Sequence, residues 1–137
     1  MITPPRVHRE QTGLVGKMIV VWLLMVVILG VAAIDTASIA FTKFKASDVA
    51  STAASLAANT WRDTNSDQRA CNAARASVAQ ADPDAVVPKN GCVVNQATGE
   101  VTITVRKAAT TLLASRLPWT KKFANPLVTE TAGPSVL

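Results

Sequence analysis

The sequence lacks most of the residue types from which active sites are built. It contains no tyrosine, two cysteines and one histidine, His8, among 137 residues. An apolar run of membrane length separates that histidine from the rest of the chain, so no Ser–His–Asp or Cys–His arrangement can be assembled. The glycines Gly13, Gly16 and Gly99 lack the spacing of a phosphate-binding loop. The sequence therefore predicts a protein that is not an enzyme and binds no metal or other cofactor.

Aromatic residues are scarce, and the charge is spread rather than clustered. Phe and Trp make up 4% of the chain, whereas 49% of it is hydrophobic, much of that alanine and valine. The net charge is +5, but the longest basic groups are the pairs Arg106-Lys107 and Lys121-Lys122. Nucleic-acid surfaces combine larger basic patches with interleaved aromatics. The composition predicts long helices, solvated surface charge and no nucleic-acid partner.

An uncharged apolar run extends from Met18 to Ile34. With Leu14 and Val15, and with Lys17 reaching toward the interface, the run approaches about 20 residues, enough to span a bilayer. The cations around it slightly favour a cytoplasmic N-terminus; they are Arg6, Arg9 and Lys17 before the run and Lys43 and Lys45 after it. We predict a cytoplasmic tail at 1–12, a transmembrane helix at 13–35 and an extracytoplasmic domain at 36–137, held in the plasma membrane.

A cleaved secretory signal is the alternative interpretation of the same run. The small residues Val31-Ala32-Ala33 offer a possible cleavage site behind a basic segment and an apolar one. Both interpretations place the remainder of the chain outside the cytoplasm. There the two cysteines, Cys71 and Cys92, are predicted to form a disulfide, which would stabilise so small a domain by about 3 kcal/mol. Two unpaired thiols are the other possibility.

Beyond the apolar run, apolar and small residues recur at helical spacing. The pattern includes Ile39, Thr42, Ala46, Val49, Ala53, Leu56 and Thr60, with polar residues such as Ser47, Ser51 and Ser55 on the other side. No proline interrupts the chain from 13 to 62. We therefore expect one unbroken helix of about 75 Å, which carries an alanine-rich stripe and is itself longer than a small sheet can cover. The sequence leaves open whether the same chain or other molecules cover it.

The remainder of the chain predicts a second helix and a small antiparallel sheet. Turn formers at 62–66 end the long helix, Ser66 or Asp67 caps a helix over 68–80, and Asp82-Pro83-Asp84 forms a turn. A hairpin is predicted from 92–94 and 100–106, a short helix from 108–117 and a third strand from 127–131. The predicted fold class is α+β: a long transmembrane helix continuing into an amphipathic helix, a second short helix and an antiparallel sheet.

One acidic residue, Asp35, directly follows the apolar run. A carboxylate within a bilayer is usually functional, whereas one at the headgroup boundary is an ordinary interface residue. Asp35 is predicted to lie at that boundary. A second possibility is that it sets register by pairing with an amine of a partner.

The segment from Gly13 to Trp61 resembles the N-terminal part of TadE/TadG-like proteins, which accompany assembly of Flp (tight-adherence) pili. The apolar run leads into Asp35, then into Lys45-Ala46-Ser47-Asp48, and then into the alanine-rich stretch 49–58. Family members similarly carry an aspartate just past the membrane run and an alanine-rich segment downstream. The cysteine pair followed by the Val/Ile/Thr strand at 99–105 also resembles the extracytoplasmic end of such proteins.

One position departs from the pilin pattern. TadE-like pseudopilins resemble prepilins cut after a glycine, with a glutamate five residues beyond the cut, but Gly16 is followed at that distance by Val21. The resemblance therefore implies an uncleaved, membrane-retained, minor-pilin-like component of a pilus or secretion apparatus, with other envelope proteins or further copies as partners. An accessory subunit or anchored binding protein of another envelope complex is the alternative. The predicted assembly helix carries Asp35, Asp48, Ala50, Ala53, Ala54, Leu56 and Ala57.

Overall fold

A single long helix, α1 (Gln11–Thr64), forms the axis of the molecule. The structure is a computed structural model and describes residues 11–134; the predicted tail at 1–12 lies almost entirely outside them. α1 has 54 residues and is continuous, as its lack of proline predicts. Its apolar first half contains a window with a mean hydropathy of 2.7, of which only 6% is buried. By length and composition, α1 is the one helix among the described residues that could cross a membrane.

The second half of α1 is the centre of the hydrophobic core. Its inward face consists almost entirely of small residues at i, i+3, i+4 and i+7 spacing: Thr42, Ala46, Val49, Ala50, Ala53, Ala54, Ala57 and Ala58. Leu56, predicted to face inward, is instead 45% exposed, and Ile39 and Thr60 are half-buried. Alanines lie toward both edges of this inward face, so their spacing alone does not show where its centre is.

A second helix, α2 (Asp67–Ala81), folds back along α1. It begins where predicted, since the Ser66 hydroxyl accepts the Arg69 backbone N–H at the N-cap. Its buried residues Ala70, Ala74 and Val78 are four apart and face α1. Alanine on both helices permits close approach of the two backbones.

The sheet covers another side of α1. Its strands are β1 (Ala85–Val86), β2 (Cys92–Asn95), β3 (Glu100–Lys107) and β4 (Leu127–Ala132), all paired antiparallel. β3 is central, with β4 on one side and β2 and β1 on the other. The predicted α+β class, the hairpin and the third strand are confirmed, and the two-residue β1 is an addition to the predicted sheet.

The two faces of the sheet follow the alternation in β3. Val101, Ile103 and Val105 are fully buried against α1. The intervening threonines bond across to β4, with Thr102 to Thr131 at 2.8 Å and Thr104 to Thr129 at 2.9 Å between hydroxyl oxygens. This period of two, apolar inward and hydroxyl outward, fixes the register of the sheet on the helix.

The predicted disulfide joins α2 to the sheet. Cys71 and Cys92 are bonded, with 5.8 Å between their Cα atoms. The bridge complements a core whose largest fully buried side chains are only Ile103, Val78, Val101 and Val105. With so little apolar volume buried, the cross-link is expected to supply a large share of the stability.

The short helix predicted at 108–117 does not form. The chain between β3 and β4 instead makes a series of turns. The backbone N–H groups of 112, 113 and 114 donate to the Asp35 side chain instead of to helix carbonyls, and Pro118 has no N–H to donate. Within 108–117, the helix-like bonds are therefore limited to those from the Arg116 and Leu117 N–H groups to the Leu113 carbonyl. We call residues 108–126 the basal loop.

Candidate functional site

The basal loop runs alongside α1 toward the apolar run. Lys107, the last residue of β3, and Lys45, which lies on α1, both contact the carboxylate of Asp82. Farther along, the Ser38 hydroxyl donates to the Thr110 carbonyl at 2.6 Å. The loop then reaches Asp35, so its partners on α1 move steadily back toward the N-terminus. The described structure therefore places the apex of the loop beside the last turn of the apolar run.

Asp35 fastens this apex. Its carboxylate accepts three successive backbone N–H groups, from Leu112 at 2.6 Å and from Leu113 and Ala114 at 2.9 Å each. Charged acceptors make stronger hydrogen bonds than neutral ones, and the residue is only 7% exposed. Asp35 thus binds within its own chain and orders the loop.

A second buried carboxylate, that of Asp82, lies beside the end of β3. Asp82 is 3% exposed and accepts from the Lys107 ammonium and from the Asp84 backbone N–H at 3.2 Å, with Lys45 Nζ 3.6 Å away. The Lys107 hydrogen bond is the main cause that lowers the pKa of Asp82, and the Asp84 amide and the two lysine charges add to it. The turn predicted around Pro83 therefore also positions a buried carboxylate that two lysines share, Lys107 largely buried and Lys45 half exposed.

The outer surface of the basal loop is apolar and basic. Five large apolar side chains there are exposed: Leu112, Leu113, Leu117, Trp119 and Phe123. They alternate with Arg116, Lys121 and Lys122, and residues 108–126 contain no Asp or Glu. Lys122 lies over the Phe123 ring, with Nζ 5.2 Å from its centroid. An exposed apolar patch of this kind is typical of an interaction surface.

A groove of about 450 Å³ lies between α1 and the β4 strand. Its lining combines apolar and charged side chains from both elements: Ala40, Lys43, Phe44, Ser47, Leu127, Val128, Thr129 and Glu130. Ser47 donates to Glu130 at 2.5 Å across it. Phe44 and Leu127 are 76% and 54% exposed. The groove follows β4, which pairs only with β3, so one edge of the described sheet is open beside it.

The predicted assembly helix divides into buried and exposed residues. Ala50, Ala53, Ala54 and Ala57 are completely buried by the chain's own α2 and sheet, so another molecule cannot contact them in this fold. Asp48 and Leu56 are exposed on the outside of the same helix. The expectation that the alanine stripe meets a partner is corrected for these four alanines, because they form an internal core.

The surfaces that are exposed differ from those that the sequence pattern singles out. Phe41 and Phe44 project outward from α1. The exposed aromatic residues of the basal loop, Trp119 and Phe123, follow the segment 108–117, for which the pattern predicts a short helix. The run of 19 positions without an acidic residue at 108–126 is the sequence signal that marks the loop. Among residues 11–134, no group of three or more His, Cys, Asp or Glu side chains is arranged to hold a metal ion.

Comparison of the chain with protein-family models, with curated proteins and with solved structures found no match.

Proposed function

We propose that the chain is a non-catalytic, membrane-anchored, minor-pilin-like component of a Flp/Tad-type pilus assembly or secretion apparatus. In this proposal, α1 crosses the plasma membrane with the N-terminus in the cytoplasm. The disulfide-bonded α+β domain then lies outside, directly on the membrane surface. The function is to present that domain to other envelope proteins rather than to transform a substrate.

The division of α1 into two halves is the observation that supports this proposal most strongly. The first half exposes nearly all of its large apolar side chains, from Val15 to Ile34, whereas the second half is the core of the folded domain. A bilayer would bury the exposed half, and each apolar side chain removed from water contributes about 1.5–3 kcal/mol. A long N-terminal helix that is half membrane anchor and half domain core is also the arrangement that the resemblance implies.

The disulfide supports the proposed orientation. Disulfides persist in oxidising compartments and are rare in the cytosol. Cys71 and Cys92 both follow the apolar run, so a bonded pair is expected on the side opposite a cytoplasmic N-terminus.

Topology is tested on the full chain in native membranes. We expect the protein to resist extraction by alkaline carbonate and to resist alkylation at both cysteines until it is reduced. A membrane-impermeant thiol reagent added outside intact cells after reduction should then label both of them. Labelling that requires access from the cytoplasm would contradict the orientation, and release by carbonate would contradict the anchor.

Partner contact is proposed at the groove, because Phe44 and the open edge of β4 are exposed whereas the alanine stripe is not. A photo-crosslinking residue at Phe44 should capture other apparatus subunits in native membranes. The same residue at Gln80, which is exposed near the end of α2 and does not line the groove, is the control and should capture much less.

Equal yields at both positions would show that the groove is not the contact surface. Capture at Phe44 of proteins from an unrelated envelope complex would favour the alternative, an accessory subunit or anchored binding protein.

A further inference from the structure

We propose that the basal loop, residues 108–126, is a membrane-docking element that inserts its apolar side chains into the interface of the bilayer and binds anionic lipid headgroups. The inference rests on the proposed membrane anchor, because it assigns the loop to the surface of the same bilayer that α1 crosses. It adds a second attachment of the domain to the membrane.

The position of the loop is the first argument. Three bonds from consecutive amides to Asp35 hold the apex at the residue that directly follows Ile34, the last of the apolar run. A helix rises about 1.5 Å per residue, so Ser38, which holds Thr110, stands only about 5 Å farther from the bilayer. The headgroup layer on each side of the hydrocarbon core is of similar thickness, about 5–8 Å. The apex therefore lies at headgroup depth when α1 spans.

The chemistry of the loop is the second argument. Interfacial segments place Trp, Phe and Leu toward the acyl chains and Lys or Arg toward the phosphates. Trp119 is 72% exposed and Phe123 is 59% exposed, so most of each side chain is accessible to lipid. Arg116, Lys121 and Lys122 provide three positive charges on a loop without carboxylates, which favours an anionic surface.

The two ends of the loop are secured, so docking requires little ordering of the chain. The Ala109 N–H donates to the Ala124 carbonyl at 2.7 Å, and the Thr120 hydroxyl donates to the Ala114 carbonyl at 2.8 Å. These bonds hold the apolar side chains on the surface of a closed loop. A preordered loop loses less conformational entropy on binding than a flexible one.

The test uses Trp119 as a fluorescent reporter in the full-length chain carrying Trp22→Phe and Trp61→Phe. The protein is reconstituted in phosphatidylcholine vesicles, with and without phosphatidylglycerol. We expect blue-shifted Trp119 emission that lipids brominated near the headgroup quench and that aqueous iodide reaches poorly. Phosphatidylglycerol should strengthen the lipid quenching.

Charge-removal variants separate lipid binding from mere proximity. Lys121→Gln with Lys122→Gln should weaken docking on the phosphatidylglycerol vesicles by roughly thirtyfold. Arg69→Gln with Lys89→Gln removes the same charge from exposed positions outside the loop and should have no effect.

Three results would overturn the inference. Red emission with full iodide access, in protein that resists carbonate extraction, would refute docking while leaving the anchor intact. Blue emission without quenching by brominated lipid would mean that a protein surface, such as a second copy, covers Trp119. Release of the chain by carbonate would refute the anchor and the docking together.

Discussion

At the scale of single residues, Asp35 shows how one carboxylate can connect two distant parts of the chain. Its three amide donors lie more than seventy positions away, at 112–114. The residue itself could be recognised from the sequence because it follows the apolar run. Its partners could not, because backbone amides carry no sequence signature and any non-proline residue types at 112–114 would donate equally well.

Replacement of Asp35 by Asn is predicted to loosen the basal loop. The amide side chain has one acceptor oxygen and no charge, so it cannot satisfy three N–H donors as the carboxylate does. Hydrogen exchange at the amides of Leu112, Leu113 and Ala114 should become several-fold faster. Asp48→Asn, which changes an exposed carboxylate on the same helix, is the control and should leave these amides unchanged. Equal protection in both variants would mean that Asp35 does not hold the loop.

Asp82 is predicted to make the domain sensitive to acid. Its folded pKa is lowered, chiefly by the Lys107 hydrogen bond, so the ionised form is favoured in the folded state. The resulting stability is fully present above the unfolded pKa of about 3.9 and is lost as the pH falls through the lower folded value. The melting temperature of the wild type should therefore decrease steeply below about pH 4.

The Asp82→Asn variant isolates this effect. It should be less stable than the wild type by about 1–3 kcal/mol at neutral pH, because the largely buried Lys107 ammonium loses its partner. The difference between the two proteins should shrink in acid. Asp63→Asn, which removes an exposed carboxylate paired with Arg62, should show neither change. A constant difference at every pH would contradict the assignment.

At the scale of elements, α1 illustrates what helical periodicity can and cannot resolve. The sequence pattern predicts α1, α2 with a cap at Ser66 or Asp67, and the strands β2, β3 and β4, because caps, turn formers and period-two alternation are local signals. The same pattern places Leu56 on the inward face of α1, where the structure has Ala57 and Ala58. Alanine is compatible with both core and surface, so only the contacts of α2 and the sheet decide which alanines are buried.

Replacement of a buried alanine of α1 by a larger residue is predicted to destabilise the domain. Ala53→Leu adds a branched side chain where the residue is completely buried by the rest of the domain, and overpacking of this kind costs about 1–3 kcal/mol. Ser51→Leu, two positions away and exposed, should change the free energy of unfolding by less than about 0.5 kcal/mol. Urea denaturation of the reconstituted protein measures both.

The same comparison decides between a core and an assembly surface. If the alanine stripe is core, Ala53→Leu lowers stability at every protein concentration and in the absence of partners. A variant of normal stability that loses only its cross-linked partners would instead restore the idea of an assembly surface.

At the scale of the whole molecule, the proposed membrane anchor would make the two halves of α1 depend on different surroundings. In hydrocarbon, every backbone N–H and C=O must remain bonded within the helix, so the apolar half needs no tertiary contacts to stay helical. The half from 36 to 64 is stabilised by α2, by the sheet and by the disulfide. Most of the stability of a helix in a protein comes from tertiary packing of its apolar face, so this half should unfold with the domain.

Heating of the full chain in lipid vesicles is therefore predicted to melt only part of α1. Far-UV circular dichroism should show a cooperative loss of helix with about half of α1 remaining, because the half proposed to span the bilayer would stay hydrogen-bonded. Hydrogen exchange should assign the loss to α2 and to α1 residues around Ala46 to Ala58, while amides of the apolar run stay protected. Reduction of Cys71–Cys92 should lower the midpoint by roughly 10–20 °C and leave the residual helix unchanged. Chain heated in the same way without lipid is the control, and there the apolar half has no bilayer to sustain it. Loss of the entire helical signal in one transition in vesicles would mean that α1 behaves as a single soluble element and does not reside in the bilayer.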